Sequence, residues 1–90
     1  MPLYTYIASY RGGTHADQDR RSNFKGSAAL LLGRMPDGAL PYLSKELRTD
    51  MVHKAFRCEW TAIPNRSNLW RTAFDLGGHE FALYAIQTER

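Results

Sequence analysis

The chain has 90 residues, with twelve Lys/Arg against nine Asp/Glu, a net charge of +3 and a pI near 9.3. With 43% hydrophobic and 23% charged residues it suits one small folded domain over residues 1–90 and argues against disorder. The basic excess is mild, short of the Lys/Arg density of a dedicated nucleic-acid domain, although nine of the twelve basic residues are Arg.

Leu3 to Tyr10 alternates in character, as a strand does. Tyr4, Tyr6, Ala8 and Tyr10 share one face, and Leu3, Thr5, Ile7 and Ser9 share the other. Thr14 to about Asp19 reads as a more polar partner strand, joined through Arg11-Gly12-Gly13. Paired glycines favour tight hairpin loops because both positions need φ > 0. A two-residue Gly12-Gly13 loop sets Tyr10 opposite His15, Ala8 opposite Asp17 and Tyr6 opposite Asp19. A three-residue loop sets Tyr10 opposite Thr14, Ala8 opposite Ala16 and Tyr6 opposite Gln18. The first is preferred: it turns Leu3 and Ile7 inward and leaves a polar, wet tyrosine face.

Ser22, or Ser27 after the helix-weakening Gly26, is the expected N-cap of a helix with Phe24, Ala28, Leu31 and Met35 at helical spacing. Gly33 suits its stop, and Met35-Pro36-Asp37-Gly38 reads as a turn. Ser44 caps a second helix running to about Ala55, with Leu47, Met51 and Ala55 as its buried stripe. Alternation then returns. Phe56, Cys58, Trp60 and Ala62 on one face predict a half-buried strand, and Pro64 to Asn68 a loop.

The last hairpin is the clearest element. A Gly77-Gly78 loop pairs Leu76 with His79, Phe74 with Phe81, Thr72 with Leu83 and Trp70 with Ala85 on one apolar face. The other face pairs Leu69 with Ile86, Arg71 with Tyr84 in a cation–π arrangement, and Ala73 with Ala82. The same register sets Asp75 against Glu80. The element order is ββααβββ. It predicts an α+β fold: a two-layer domain with a mainly antiparallel five-stranded sheet and two helices on one face.

Motifs with chemistry are scarce. Gly33 to Gly38 has the glycine spacing of a phosphate loop, but Ala39 and Leu40 stand where Lys and Ser/Thr belong. His79-Glu80 opens like a zinc-protease motif, but Leu83 occupies the place of the second histidine. The histidines are scattered and Cys58 is alone, so neither a metal nor another cofactor is expected. Cys58, with Phe56 and Trp60, reads as a small core hydrophobe rather than a nucleophile. A lone cysteine forms no internal disulfide and the start has no basic, apolar leader, so a cytoplasmic location is expected. The longest strongly apolar run, residues 28–32, is too short to engage a membrane by spanning it.

The surface that draws attention is the tyrosine strand with its basic neighbours. Tyr4, Tyr6, Tyr10, His15, Arg20, Arg21 and Lys25 are the candidate binding residues, and no catalytic set is assigned. Tyrosines offer large area and a polar tip, which suits a protein interface. The leading expectation is therefore a small non-enzymatic module that binds another protein or a second copy, for instance through an open sheet edge. The alternative is single-stranded nucleic-acid binding, with bases on the tyrosines and phosphates on Arg20, Arg21 and Lys25. A weaker alternative is an enzyme or small-ligand site around His15 and Asp17.

Overall fold

The structure, a computed structural model, describes residues 2–20, 24–65 and 67–89, and the side chains of all of these except Phe24, Lys25 and Glu89. Its elements are β1 (Leu3–Tyr10), β2 (Gly13–Arg20), α1 (Phe24–Gly33), α2 (Lys45–Arg57), β3 (Thr61–Ala62), β4 (Leu69–Leu76) and β5 (His79–Glu89). The five strands form one antiparallel sheet in the order β2-β1-β5-β4-β3, so the fold is α+β as the pattern predicts. The first and last long strands lie side by side at its centre, with Tyr6 opposite Ala85 and Tyr10 opposite Phe81.

The β4–β5 hairpin adopts the register read from its sequence, from Leu76 opposite His79 to Leu69 opposite Ile86. Gly77 and Gly78 both take positive φ, +61° and +85°, the demand of a tight two-residue loop. Phe74 and Phe81 stack at 5.0 Å. Asp75 does face Glu80, and Arg71 relieves the clash by reaching Glu80 at 3.2 Å.

The β1–β2 hairpin departs from expectation. Its loop is Arg11-Gly12, with φ of 47° and 86°, and Tyr10 pairs with Gly13. Ala8 then faces His15, Tyr6 faces Asp17 and Tyr4 faces Asp19. Gly13 is required elsewhere: a Cβ there would lie 2.1 Å from the Pro41 ring. The strand end thus presses its bare backbone onto the loop before α2, and Arg11 takes the left-handed turn position with its guanidinium 3.9 Å from the Tyr42 ring centre.

The inward face of β1 is also the reverse of the expected one. Tyr4, Tyr6, Ala8 and Tyr10 are buried, while Leu3, Thr5, Ile7 and Ser9 are half-buried. The tyrosines join one core with Leu76, Phe81, Leu83 and Ala85 from the sheet and Ala28, Ala29, Leu31, Leu32, Met51 and Ala55 from the helices. A tyrosine ring is admitted to a core when its hydroxyl finds a partner, which is the case here.

Ser44 caps α2, its Oγ accepting the Leu47 N–H at 3.2 Å. Ser27 is no cap; it lies inside α1 and is buried, and Ser22 lies outside the described residues. The strand expected over residues 56–62 shrinks to Thr61–Ala62, because α2 continues through Arg57 and leaves Phe56 exposed. Lys54 and Arg57 in its last turn complement the helix dipole and favour that continuation.

Candidate functional site

Each tyrosine of β1 is committed to packing. Tyr10 is 1% exposed and donates its hydroxyl to the Leu76 carbonyl at 2.7 Å. Its ring lies 6.0 Å from Phe81 and edge-on to His79. Tyr6 is 3% exposed, and its hydroxyl bonds to the Ser27 hydroxyl of α1. Tyr4, at 7%, packs between the rings of Tyr6 and Trp70, 6.3 Å from each. None of the three rings presents a face on which a base can stack. Arg20 is exposed at the end of β2, opposite Leu3 and so on the face turned away from these rings. Arg21 lies outside the described residues, as does the side chain of Lys25, whose backbone belongs to α1.

His15 and Asp17 do share a face, as their spacing predicts. They line one small cavity with Tyr6, Ala8, Ala28, Leu31, Leu32 and Leu83. Its volume is about 10 Å³, room for about one water molecule and for no substrate. The buried Nε2 of His15 has no hydrogen-bond partner. Asp17 is exposed, and its Oδ1 accepts the Gln18 N–H at 2.8 Å. The pair is therefore a half-buried imidazole and an exposed carboxylate already engaged with the backbone.

The feature the sequence reading left unplaced is the edge that β2 forms. In a two-residue hairpin the pair closing the loop is hydrogen-bonded, and such pairs alternate along the ladder. Gly13, His15, Asp17 and Asp19 therefore turn their backbone groups toward β1. Thr14, Ala16, Gln18 and Arg20 turn theirs outward. The Gln18 N–H capped by Asp17 belongs to this outward set. No strand pairs with the outer side of β2 among the described residues. The opposite edge of the sheet is the two-residue β3. The face of the sheet away from the core carries half-buried Leu3 and Ile7 on β1, next to the β2 edge, and Tyr84, Ile86 and Leu69 farther across on β5 and β4. On it Gln18 Nε2 donates to Thr5 Oγ1 at 2.9 Å, which fixes the outer side chains of β2 against β1.

Two further surfaces carry charged side chains. A groove of about 630 Å³ along α2 includes Lys45, Arg48, His53 and Asp37. Arg48 is spent there as a strut, bonded to Asp37 at 2.5 Å and to the Met35 carbonyl. On the sheet, Arg71 Nε donates to the Tyr84 hydroxyl at 3.3 Å, with the guanidinium 5.7 Å from the ring centre. The Tyr84 hydrogen bond outweighs the opposing desolvation and, with the fields of Tyr84 and Glu80, holds Arg71 above the ordinary arginine range. It is a fixed charge and offers no titrating group.

Among the described residues no group of three or more His, Cys, Asp or Glu is placed to hold a metal ion, and no helix is long and apolar enough to cross a membrane. Compared with known proteins, the chain matches no family model, no curated protein and no solved structure.

Proposed function

We propose that this chain is a non-enzymatic interaction module that associates with a second copy of itself, or with another protein, by adding a strand to its open sheet edge. The observation that carries the reading is β2: eight residues long, at the end of the sheet, with outward backbone groups at Thr14, Ala16 and Gln18. Unpaired strand edges are templates for further strands, and main-chain hydrogen bonds supply the affinity. Half-buried Leu3 and Ile7 on the adjoining strand add contact area for a partner that laps onto the sheet. A reducing cytoplasm suits the lone Cys58, which forms no disulfide within the chain.

Burial of Tyr4, Tyr6 and Tyr10 weighs against the nucleic-acid alternative, because stacking needs open ring faces. The cavity beside His15 is too small to favour an enzyme. Sedimentation velocity across low to high micromolar protein, at two salt concentrations and with a single-stranded oligonucleotide added, tests the reading. The expected result is a mass that rises to a dimer with concentration, little affected by salt or by the oligonucleotide. A monomer at every concentration removes self-association. Uptake of the oligonucleotide at low salt and its release at high salt replaces the reading with nucleic-acid binding.

A further inference from the structure

We infer that β2 pairs antiparallel with β2 of a second copy in one register, with Ala16 opposite the partner's Ala16; this rests on the self-association reading above. The choice follows from which side chains each register brings together. A two-fold axis perpendicular to the sheet keeps both core faces on one side, so residues of like face oppose each other. Centring on Asp17 sets two carboxylates directly opposite, and centring on His15 sets Asp17 opposite the partner's Gly13, where no side chain meets it. Like charges in directly opposite positions are unfavourable. Centring on Ala16 sets His15 opposite the partner's Asp17 on one face, twice by symmetry. On the other face it sets Thr14 opposite the partner's Gln18, also twice.

The hydrogen-bond phase agrees with this register. Thr14, Ala16 and Gln18 carry the outward backbone groups, and the Ala16 register makes hydrogen-bonded pairs of those three positions. His15 and the partner's Asp17 fall in non-hydrogen-bonded positions, where opposite Cα atoms are only about 4.5 Å apart and side chains meet closely. Asp17 is exposed and His15 half-buried, so the cover over the core face of β2 leaves the carboxylate within reach. In the single chain Asp17 Oδ1 caps the Gln18 N–H. In the pair that N–H goes to the carbonyl of the partner's Thr14, and Asp17 turns to the partner's His15. Asp17 thus protects the edge of an unpaired chain, an inward charge blunting promiscuous pairing, and becomes a pairing group when the matching strand arrives.

Sedimentation velocity on a set of variants tests the register, with circular dichroism to confirm each fold. Ala16→Pro removes one outward N–H and leaves the ladder to β1 intact, a substitution that edge strands accept. It should weaken dimerisation about tenfold or more. H15D should weaken it by about tenfold, since it sets two carboxylates opposite each other, and the swap H15D/D17H should restore it, since the opposed pair is rebuilt with its members exchanged. Because His15 is half-buried, the same logic is repeated at fully exposed positions: T14E/Q18E should weaken the dimer and T14E/Q18K should restore it. A wild-type dimer indifferent to Ala16→Pro overturns the use of this edge and leaves self-association standing. A dimer lost in Ala16→Pro but unrescued by either swap overturns the register. A wild-type chain that never dimerises overturns both the inference and the self-association on which it rests.

Discussion

Tyr10 shows how a polar side chain becomes structural. Its ring is enclosed by Phe81, His79 and the Gly77 turn, and its hydroxyl reaches the Leu76 carbonyl at the end of β4. That carbonyl ends the strand just before the turn, where Leu76 pairs with His79, and the hydroxyl of a strand two places away in the sheet adds a second donor to it. Tyr10→Phe keeps the ring and removes the donor, leaving a buried acceptor without this partner. The carbonyl keeps its ladder partner in His79, so the expected cost is about 0.5–1.5 kcal/mol of unfolding free energy, the net contribution of one hydrogen bond. Urea denaturation measures it, and an unchanged slope with a lowered midpoint is the expected signature. A cost indistinguishable from zero would mean that the hydroxyl contributes nothing to the position of the β4–β5 turn.

At the scale of the element, four glycines separate what a turn needs from what packing needs. Gly13 sits against the Pro41 ring, where a Cβ would approach to 2.1 Å. Gly26 lies inside α1 with nothing within 4 Å of a Cβ. Gly13→Ala should therefore cost about 1–3 kcal/mol, an overpacking penalty against a rigid ring. Gly26→Ala should stabilise by about 0.5–1 kcal/mol, because alanine loses less backbone entropy in a helix. Thermal unfolding of the two variants, read as shifts of opposite sign, checks both. The same contrast explains how far the elements were legible in the sequence. The β4–β5 register was readable residue by residue because Gly77-Gly78 has a single duty, the turn, between two strongly patterned runs. The β1–β2 register was not, because Gly13 answers to Pro41, a contact 28 positions along the chain that no local turn rule contains. The inward face of β1 was misread for a related reason. Both of its faces are partly apolar, so Leu3 and Ile7 compete on pattern with Tyr4, Tyr6 and Tyr10. What decides is the supply of hydroxyl partners, Ser27 and the Leu76 carbonyl, from distant elements. The alternation over residues 56–62 failed because α2 had already claimed Phe56 and Arg57.

At the scale of the whole molecule, burial is one-sided, and this makes the candidate site an edge and a face rather than a pocket. The core lies between the sheet and the helical residues. The other face carries Leu3, Ile7, Leu69, Tyr84 and Ile86 in half-buried positions, of which Leu3 and Ile7 adjoin the open β2 edge. None of this was accessible to the candidate list of β1 tyrosines and nearby cations, which were chosen as side chains. An edge consists of backbone groups, and only the strand order reveals which of them are left over. The asymmetry has a measurable consequence within β5 alone. Leu83 is 1% exposed and packs in the core, while Ile86 faces the opposite way and pairs with Thr5 and Leu69. Leu83→Ala should cost about 2–5 kcal/mol, the transfer and cavity terms of a buried leucine. That is a large part of the 5–15 kcal/mol typical of a small domain, so this variant is expected near the limit of folding at room temperature. Ile86→Ala, made on a face with little to collapse around it, should cost less than half as much. Equal losses in chemical denaturation would mean that the second face is packed as tightly as the first. It would then be a poor surface for a partner, and the interaction reading would rest on the β2 edge alone.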